Sequence, residues 1–270
     1  MVVEVEKNGP VTTIINNRPE ARNAGDPETT DALTQAFMDF EADKNASVAV
    51  FWGAGGTFCA GWDLKYAATL TDPEKFNKEV VQDLAMPMGS APAPRGPLGP
   101  SRLELSKPVI AAVEGAAVAG GMELAMWCDM RVMAEDAYFG VYCRRWGIPL
   151  LDGGTVRMPR LIGEGRAMEI ALTGRKVSAE ESLRIGLCER VVPAGAARAE
   201  AENLARDIAR FPQAAVRADR RNIIETYGLS IRDGLRMEWA NGVHAHVEEG
   251  AAGAGRFASG KGRSGSYDDI

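Results

Sequence analysis

Histidine is nearly absent from this sequence: His244 and His246 are the whole supply in 270 residues. A Ser–His or Cys–His nucleophile is therefore not expected. A metal centre would need further ligands beside the two histidines, so none is expected either. Cysteine is sparse as well. Cys59, Cys128, Cys143 and Cys188 are widely spaced with no CxxC pair, which fits a reduced, cytoplasmic protein rather than a disulfide scaffold. No apolar run approaches the ~20 residues of a membrane span. The opening MVVEVEKNGP has no basic stretch followed by an apolar one, so no secretory signal is read there. Positive charge is in deficit, 31 Lys and Arg against 37 Asp and Glu, and nucleic acid is not an expected partner. Nucleotide loops are missing too. The glycines of GAGGTFCAGWDL do not fit GxGxxG, and no GK[ST] follows.

What remains is an ordinary globular composition, 46% hydrophobic and 25% charged, long enough for one large domain or a domain with an extension. Val2 to Glu6 and Val11 to Ile15 flank Asn8-Gly9, a hairpin signal. Asp26-Pro27-Glu28 is a helix start, and Leu33, Phe37 and Phe40 would share one face of a helix reaching about Asp43. Val48 to Trp52 reads as a strand. Asp72-Pro73-Glu74 starts a second helix, expected to reach about Met86. Pro87 to Pro100 is too rich in proline and glycine for regular structure and reads as an exposed loop or mobile lid. Asp129 to Ala134, Ala137 to Phe139 and Cys188 to Val192 read as strands, with a helix from about Gly154. Ser178 and Glu181 suggest a capping box for a short helix ending at Gly186. Strands alternating with helices predict an α/β fold. From Ala196 the pattern turns helical, so the core is expected over 1–195 and a helical C-terminal region with a flexible tail over 196–270.

The stretch from Ser106 to Met130, SKPVIAAVEGAAVAGGMELAMWCDM, reads as strand, glycine turn and helix. Val109, Ile110 and Val113 belong to a buried strand. Gly115, Gly120 and Gly121 break it, and Met122 to Cys128 is good helix material. A helix start carries unpaired N–H groups and a positive dipole end. Glycine leaves that backbone open to approach, and Glu123 stands in the first turn. Backbone donors with a carboxylate one turn away suit chemistry that makes an enolate and moves a proton beside it. The same residues also read as a plain turn before a buried helix, with Glu123 placed for the dipole.

Five segments taken together resemble the crotonase superfamily, the enoyl-CoA hydratase/isomerase family. They are NRPEARNA at 17–24, FCAGWDL at 58–64, KPVIAAVEG at 107–115, AGGMELAMWCD at 119–129, and GGTVRMPRLIG with ALTGR through Arg175. The resemblance implies a crotonase-like spiral of repeated ββα units with a C-terminal helical extension. It implies trimers or paired trimers, an acyl-CoA thioester substrate, and no cofactor beyond the coenzyme A that the substrate carries. The family's two oxyanion donors fall on the amides of Trp62, after Ala60-Gly61, and of Gly120, before Gly121. Asp63 and Leu64 would begin the helix along which coenzyme A lies. Arg22 matches a nucleotide contact, and Phe257 and Lys261 match a C-terminal aromatic and lysine that reach a neighbouring subunit's ligand.

The acids depart from the family pattern. Hydratases of the family hold one water between two glutamates. Glu123 matches the first, which acts as base toward the water. The second position is Cys143, and a thiol with an ordinary pKa of about 8.5 is a poor substitute. Asp152 is the nearest acid, close to where a dienoyl-CoA isomerase branch places an aspartate, and it equally suits a helix cap. Arg144, Arg145 and Arg157 are placed to neutralise it. The leading expectation is hydration of a 2-enoyl-CoA with Glu123 and Asp152 as the acid/base pair. Isomerisation by Glu123 alone, and binding of coenzyme A without chemistry, stay open.

Overall fold

The Asn8-Gly9 signal becomes a hairpin: β1 (Val3–Asn8) and β2 (Val11–Asn16) pair antiparallel with Asn8 opposite Val11, and Gly9 turns the chain at φ 59°. The computed structural model describes residues 1–89, 93 and 95–267. Of the proline-rich loop expected at 87–100, positions 90–92 and 94 lie outside the described residues, as do positions 268–270 of the tail.

Every later neighbour in the large sheet is parallel. β3 (Val48–Gly53) pairs with β2, β4 (Val109–Val113) with β3, β6 (Met130–Ala134) with β4, and β9 (Arg190–Val192) with β6. A parallel sheet is covered on both faces, which is why β3 and β4 are nearly unbroken apolar runs. α1 (Pro27–Ala42) packs on β1 and β2, capped by Asp26 and burying Leu33, Phe37 and Phe40. A small sheet holds β5 (Ala116–Val118), β7 (Tyr138–Gly140) and β8 (Lys176–Ser178) in the order β5-β7-β8.

The chain alternates between the two sheets. β4 leads to β5 and then α4 (Gly120–Trp127); β6 leads to β7 and then α5 (Gly154–Ile162). An abbreviated turn comes before them: β3, a single bridge from Cys59 to Ala117 of β5, then α2 (Leu64–Ala67). These are the repeated ββα units of the expected spiral. Gly115 marks one crossing between sheets, at φ 54° and with Gly56 O only 2.2 Å from where a side chain would start.

Some elements differ from the sequence reading. The glycine turn contains β5, too short and too small in its side chains to show a period. The helix from Asp72 is split: α3 (Pro73–Phe76) gives way to a wider helical turn over Asn77–Gln82. α6 (Glu164–Thr173) and β8 precede α7 (Ala179–Ile185), where Ser178 accepts from Glu181 N as expected; the Glu181 carboxylate, however, pairs with Arg175. α8 (Ala197–Ala209) follows the expected boundary at 195, yet it packs across β2, β3, β4 and β6 and buries Ala197, Ala201 and Ala205 in the core. α9 (Gln213–Glu225) and α10 (Ile231–Ala245) pack on each other, and α10 continues through a wide turn into α11 (Ala251–Ala258), within the glycine-rich tail. Arg220 of α9 pairs with Asp129 at 2.9 Å and ties this helical part to the sheet.

Candidate active site

Two glycine-rich turns meet because each is stitched to the same short strand. Cys59 N donates to Ala116 O and Val118 N to Cys59 O, so the Cys59–Trp62 turn lies along β5. β5 itself runs into α4. Gly121, at the start of that helix, passes so close to Cys59 that a side chain there would meet the Cys59 carbonyl at 2.0 Å. A side-chain carbon on Gly61 would lie 3.1 Å from Gly120 N. The amides of Trp62 and Gly120 therefore open beside each other, and neither has an acceptor among the described residues. Ala119, between β5 and α4, is held at φ 53° and ψ −126°. That region is costly for a residue with a side chain, by about 1–3 kcal/mol.

The segment 17–25 grips the first turn from the other side. Ala60 N donates to Arg22 O, Gly25 N to Gly61 O and Asp63 N to Gly25 O. Asn23, fully buried and left-handed, donates to Ala54 O and Thr57 O. Arg18 bonds Asp63 at 2.7 Å and Asp26 at 3.2 Å. Asp63 also caps α2 through Lys65 N and Tyr66 N, so its carboxylate is fully employed inside the protein. Arg18 and Asn23 were not singled out from sequence; the NRPEARNA run that contains them was the available signal.

The two turns open onto a cavity of about 290 Å³ with mostly apolar walls, among them Trp62, Leu64, Leu84, Leu98 and Trp146. Glu123 and Asp152 both face it. Glu123 Oε1 accepts from the amides of Asp152 at 2.9 Å and Gly154 at 2.7 Å, so the start of α5 is built around this carboxyl. Burial first, and the Asp152 charge second, push Glu123 up to about 7. Asp152 Oδ1 accepts from Leu98 N at 3.0 Å and from the Ser101 hydroxyl. Burial raises its pKa, while the Ser101 and Leu98 bonds pull the other way. Arg157 neutralises neither carboxylate by direct contact. It donates to the main-chain carbonyls of Asp152 and Ser101, both at 2.8 Å.

A sequence profile described as Enoyl-CoA hydratase/isomerase matches residues 6–95 and 98–251. The chain belongs to the enoyl-CoA hydratase/isomerase family. Enoyl-CoA hydratase EchA19 of Mycobacterium tuberculosis is 35% identical over 254 residues, 92% of this chain and 89% of the relative. Carnitinyl-CoA dehydratase of Salmonella typhi is 36% identical over 240 residues, 87% and 84% of the two chains. A crystal structure of enoyl-CoA hydratase EchA1 from Mycobacterium marinum superposes with a TM-score of 0.84 at 34% identity, covering 96% of each chain.

Against this family background the remaining expected residues fall into two groups. Ala60, Leu64, Gly120 and Cys143 line the cavity with Glu123 and Asp152. Burial raises the Cys143 thiol, with Glu123 adding to the effect, so it stays protonated beside the carboxyls. Arg22 lies outside the cavity wall at φ 54°, with no side-chain partner among the described residues. Phe257 and Lys261 are exposed, on and just after α11, and do not contribute to the cavity of their own chain. Leu98, Ser101, Tyr142 and Trp146 were not anticipated individually.

Proposed function

We propose that this enzyme adds water reversibly, on one face, across the double bond of a 2-enoyl-CoA thioester. The observation that carries the reading is the meeting of two open amides and two carboxyls at one apolar cavity. The amides of Trp62 and Gly120 receive the thioester oxygen as it gains enolate charge. Donors of this kind are worth roughly 10²–10³ in rate each. Glu123 takes a proton from the water that attacks the β-carbon, and Asp152 supplies the proton to the α-carbon. Two carboxyls in one buried site suit these opposite roles, because a charge on either favours the neutral form of the other. Arg22 and Leu64, with the segment that Asp63 caps, are assigned to coenzyme A, and Phe257 and Lys261 to the ligand of a neighbouring copy. Proton transfer by carboxylates requires no metal or redox cofactor. The proposed assembly is a homotrimer or a dimer of trimers, and the proposed compartment is the cytoplasm, in keeping with four unpaired cysteines. No described helix is long and apolar enough to cross a membrane.

Double-bond isomerisation by Glu123 alone is the second reading. Cys143 favours it, since a protonated thiol occupies the place where a second glutamate would hold the water. Enoyl absorbance separates the two. Loss of signal from crotonyl-CoA or longer 2-enoyl-CoAs supports hydration; a gain from a 3-enoyl-CoA supports isomerisation. Glu123→Gln is expected to lower kcat by roughly 10²–10⁴ in either case while thioester binding persists. Asp152→Asn is expected to cripple hydration and spare a one-acid isomerisation. Wild-type turnover of crotonyl-CoA by Glu123→Gln would remove the reading.

A further inference from the structure

The proline-rich loop does more than wall the cavity. Its described end, Gly96-Pro97-Leu98-Gly99-Pro100-Ser101, is a closed turn in which Gly96 and Gly99 exchange both backbone bonds, at 2.8 and 2.9 Å. Gly99 takes φ 84°, and a side chain on it would meet Thr30 O at 2.5 Å. Pro100 then opens a single helical turn that carries Ser101. The turn holds Leu98 N and the Ser101 hydroxyl on the same oxygen of Asp152, Oδ1. Ser101 is 1% exposed, so its hydroxyl is shielded from bulk solvent. Arg157 clamps the arrangement by binding the carbonyls of both partners, Ser101 and Asp152. Gly96 closes it from above, since a side chain there would strike Ser101 Oγ at 1.9 Å and Asp152 Oδ1 at 2.7 Å. The other oxygen, Oδ2, has no donor among the described residues and lies on the Gly120 side, 3.7 Å from where a side chain on Gly120 would begin.

We infer that Ser101 is a positioning residue: with Leu98 N it saturates Asp152 Oδ1 and so assigns the acidic proton of Asp152 to Oδ2, the oxygen beside the oxyanion turn. A proton on Oδ1 would have to displace the Leu98 N–H or reverse the serine bond, and reversal would leave the buried Ser101 hydrogen with no acceptor among the described residues. The proton thus sits on the oxygen that lies on the Gly120 side, the side from which a thioester bound by Gly120 N would present its α-carbon. The inference rests on the reading of Asp152 as the proton donor. Ser101 touches no substrate and acts only through Asp152.

The groups facing Asp152 are Glu123 from α4, Arg157 from α5, Arg102 from the Ser101 turn, and Cys59 from the first glycine-rich turn. None of these changes in a Ser101 variant, which makes the pH profile informative. The serine bond favours ionised Asp152. Its loss raises the Asp152 pKa, and the alkaline limb of kcat, where the acid is lost, moves to higher pH.

The test is crotonyl-CoA hydration by Ser101→Ala and Ser101→Thr across the pH range, with Asp152→Asn alongside. For Ser101→Ala, kcat is expected to fall roughly tenfold at neutral pH with KM within about twofold, and the alkaline limb to move up. Ser101→Thr, which keeps the hydroxyl, is expected to restore both kcat and the limb. Should Ser101→Ala fail to fold, Ser101→Cys, a weaker donor of similar size, takes its place in the same assay. A substitution without the hydroxyl that keeps wild-type kcat and an unmoved limb overturns the inference. An inactive Asp152→Asn beside it would leave the role of Asp152 standing; an Asp152→Asn variant with full turnover would instead overturn that role.

Discussion

At the scale of single residues, the site rests on carboxyls kept out of water. Glu123 has an ordinary pKa near 4.5 and is pushed up to about 7 in the folded chain. Below the lower value both folded and unfolded forms hold the proton. Between the two the unfolded chain ionises first, so stability falls as pH rises, and above 7 the loss is complete. The gap corresponds to on the order of 3 kcal/mol. Glu123→Gln keeps the acceptor for the Asp152 and Gly154 amides and abolishes the charge. Its stability advantage over the wild type is therefore expected to widen by roughly 2 kcal/mol between pH 5 and pH 8 in urea unfolding. A difference independent of pH would show that the carboxylate carries no burial cost. Glu123 was legible because AGGMELAMWCD resembles the family's segment at that point; its spacing alone equally suited a carboxylate placed for the helix dipole. Ser101 was not, because nothing local marks a serine whose partner lies 51 residues away.

At the scale of elements, the two amide-bearing turns work as one unit only because β5 joins them. The strands with apolar runs, the Asp26 cap and the glycines were readable, since each is a local signal. β5 was not: three small residues after Gly115 show no period, and their pairing with Tyr138–Gly140 is decided by chain far away. The contact between turns makes a definite prediction at Gly61. It sits at φ 92°, and a methyl there would lie 3.0 Å from the Ala119 Cβ as well as close to Gly120 N. Gly61→Ala is expected to cost about 1–2 kcal/mol from backbone strain and to spread the two donors apart. The kinetic signature is a kcat lowered by roughly 10²-fold with KM changed far less, as for losing one oxyanion donor. If kcat stays within about twofold while the protein is measurably destabilised, the two turns do not act together on the thioester oxygen.

At the scale of the whole molecule, the C-terminal helices leave several large apolar side chains exposed. Ile231 is 84% exposed, Ile223 77% and Trp239 72%, with Tyr227 and Leu235 nearby in sequence. Ile231, Leu235 and Trp239 recur every four residues on α10 and so share a face suited to packing against another chain. The same region carries Phe257 and Lys261, which have no place in the cavity of their own chain. Both facts have one explanation if copies assemble through this helical part and each tail serves its neighbour's ligand. Sedimentation is expected to give three or six chains per particle, and Trp239→Glu to lower that number. Lys261→Ala is expected to raise KM for the thioester about tenfold with kcat unchanged, since a lysine on a phosphate contributes to binding but not to the enolate step. In a mixture of Lys261→Ala chains with chains inactivated by Glu123→Gln, reassembly would place intact lysines beside intact glutamates. The KM of the mixture should then fall back toward the wild-type value. A mixture whose KM stays at that of Lys261→Ala alone would mean that the lysine serves its own chain or none.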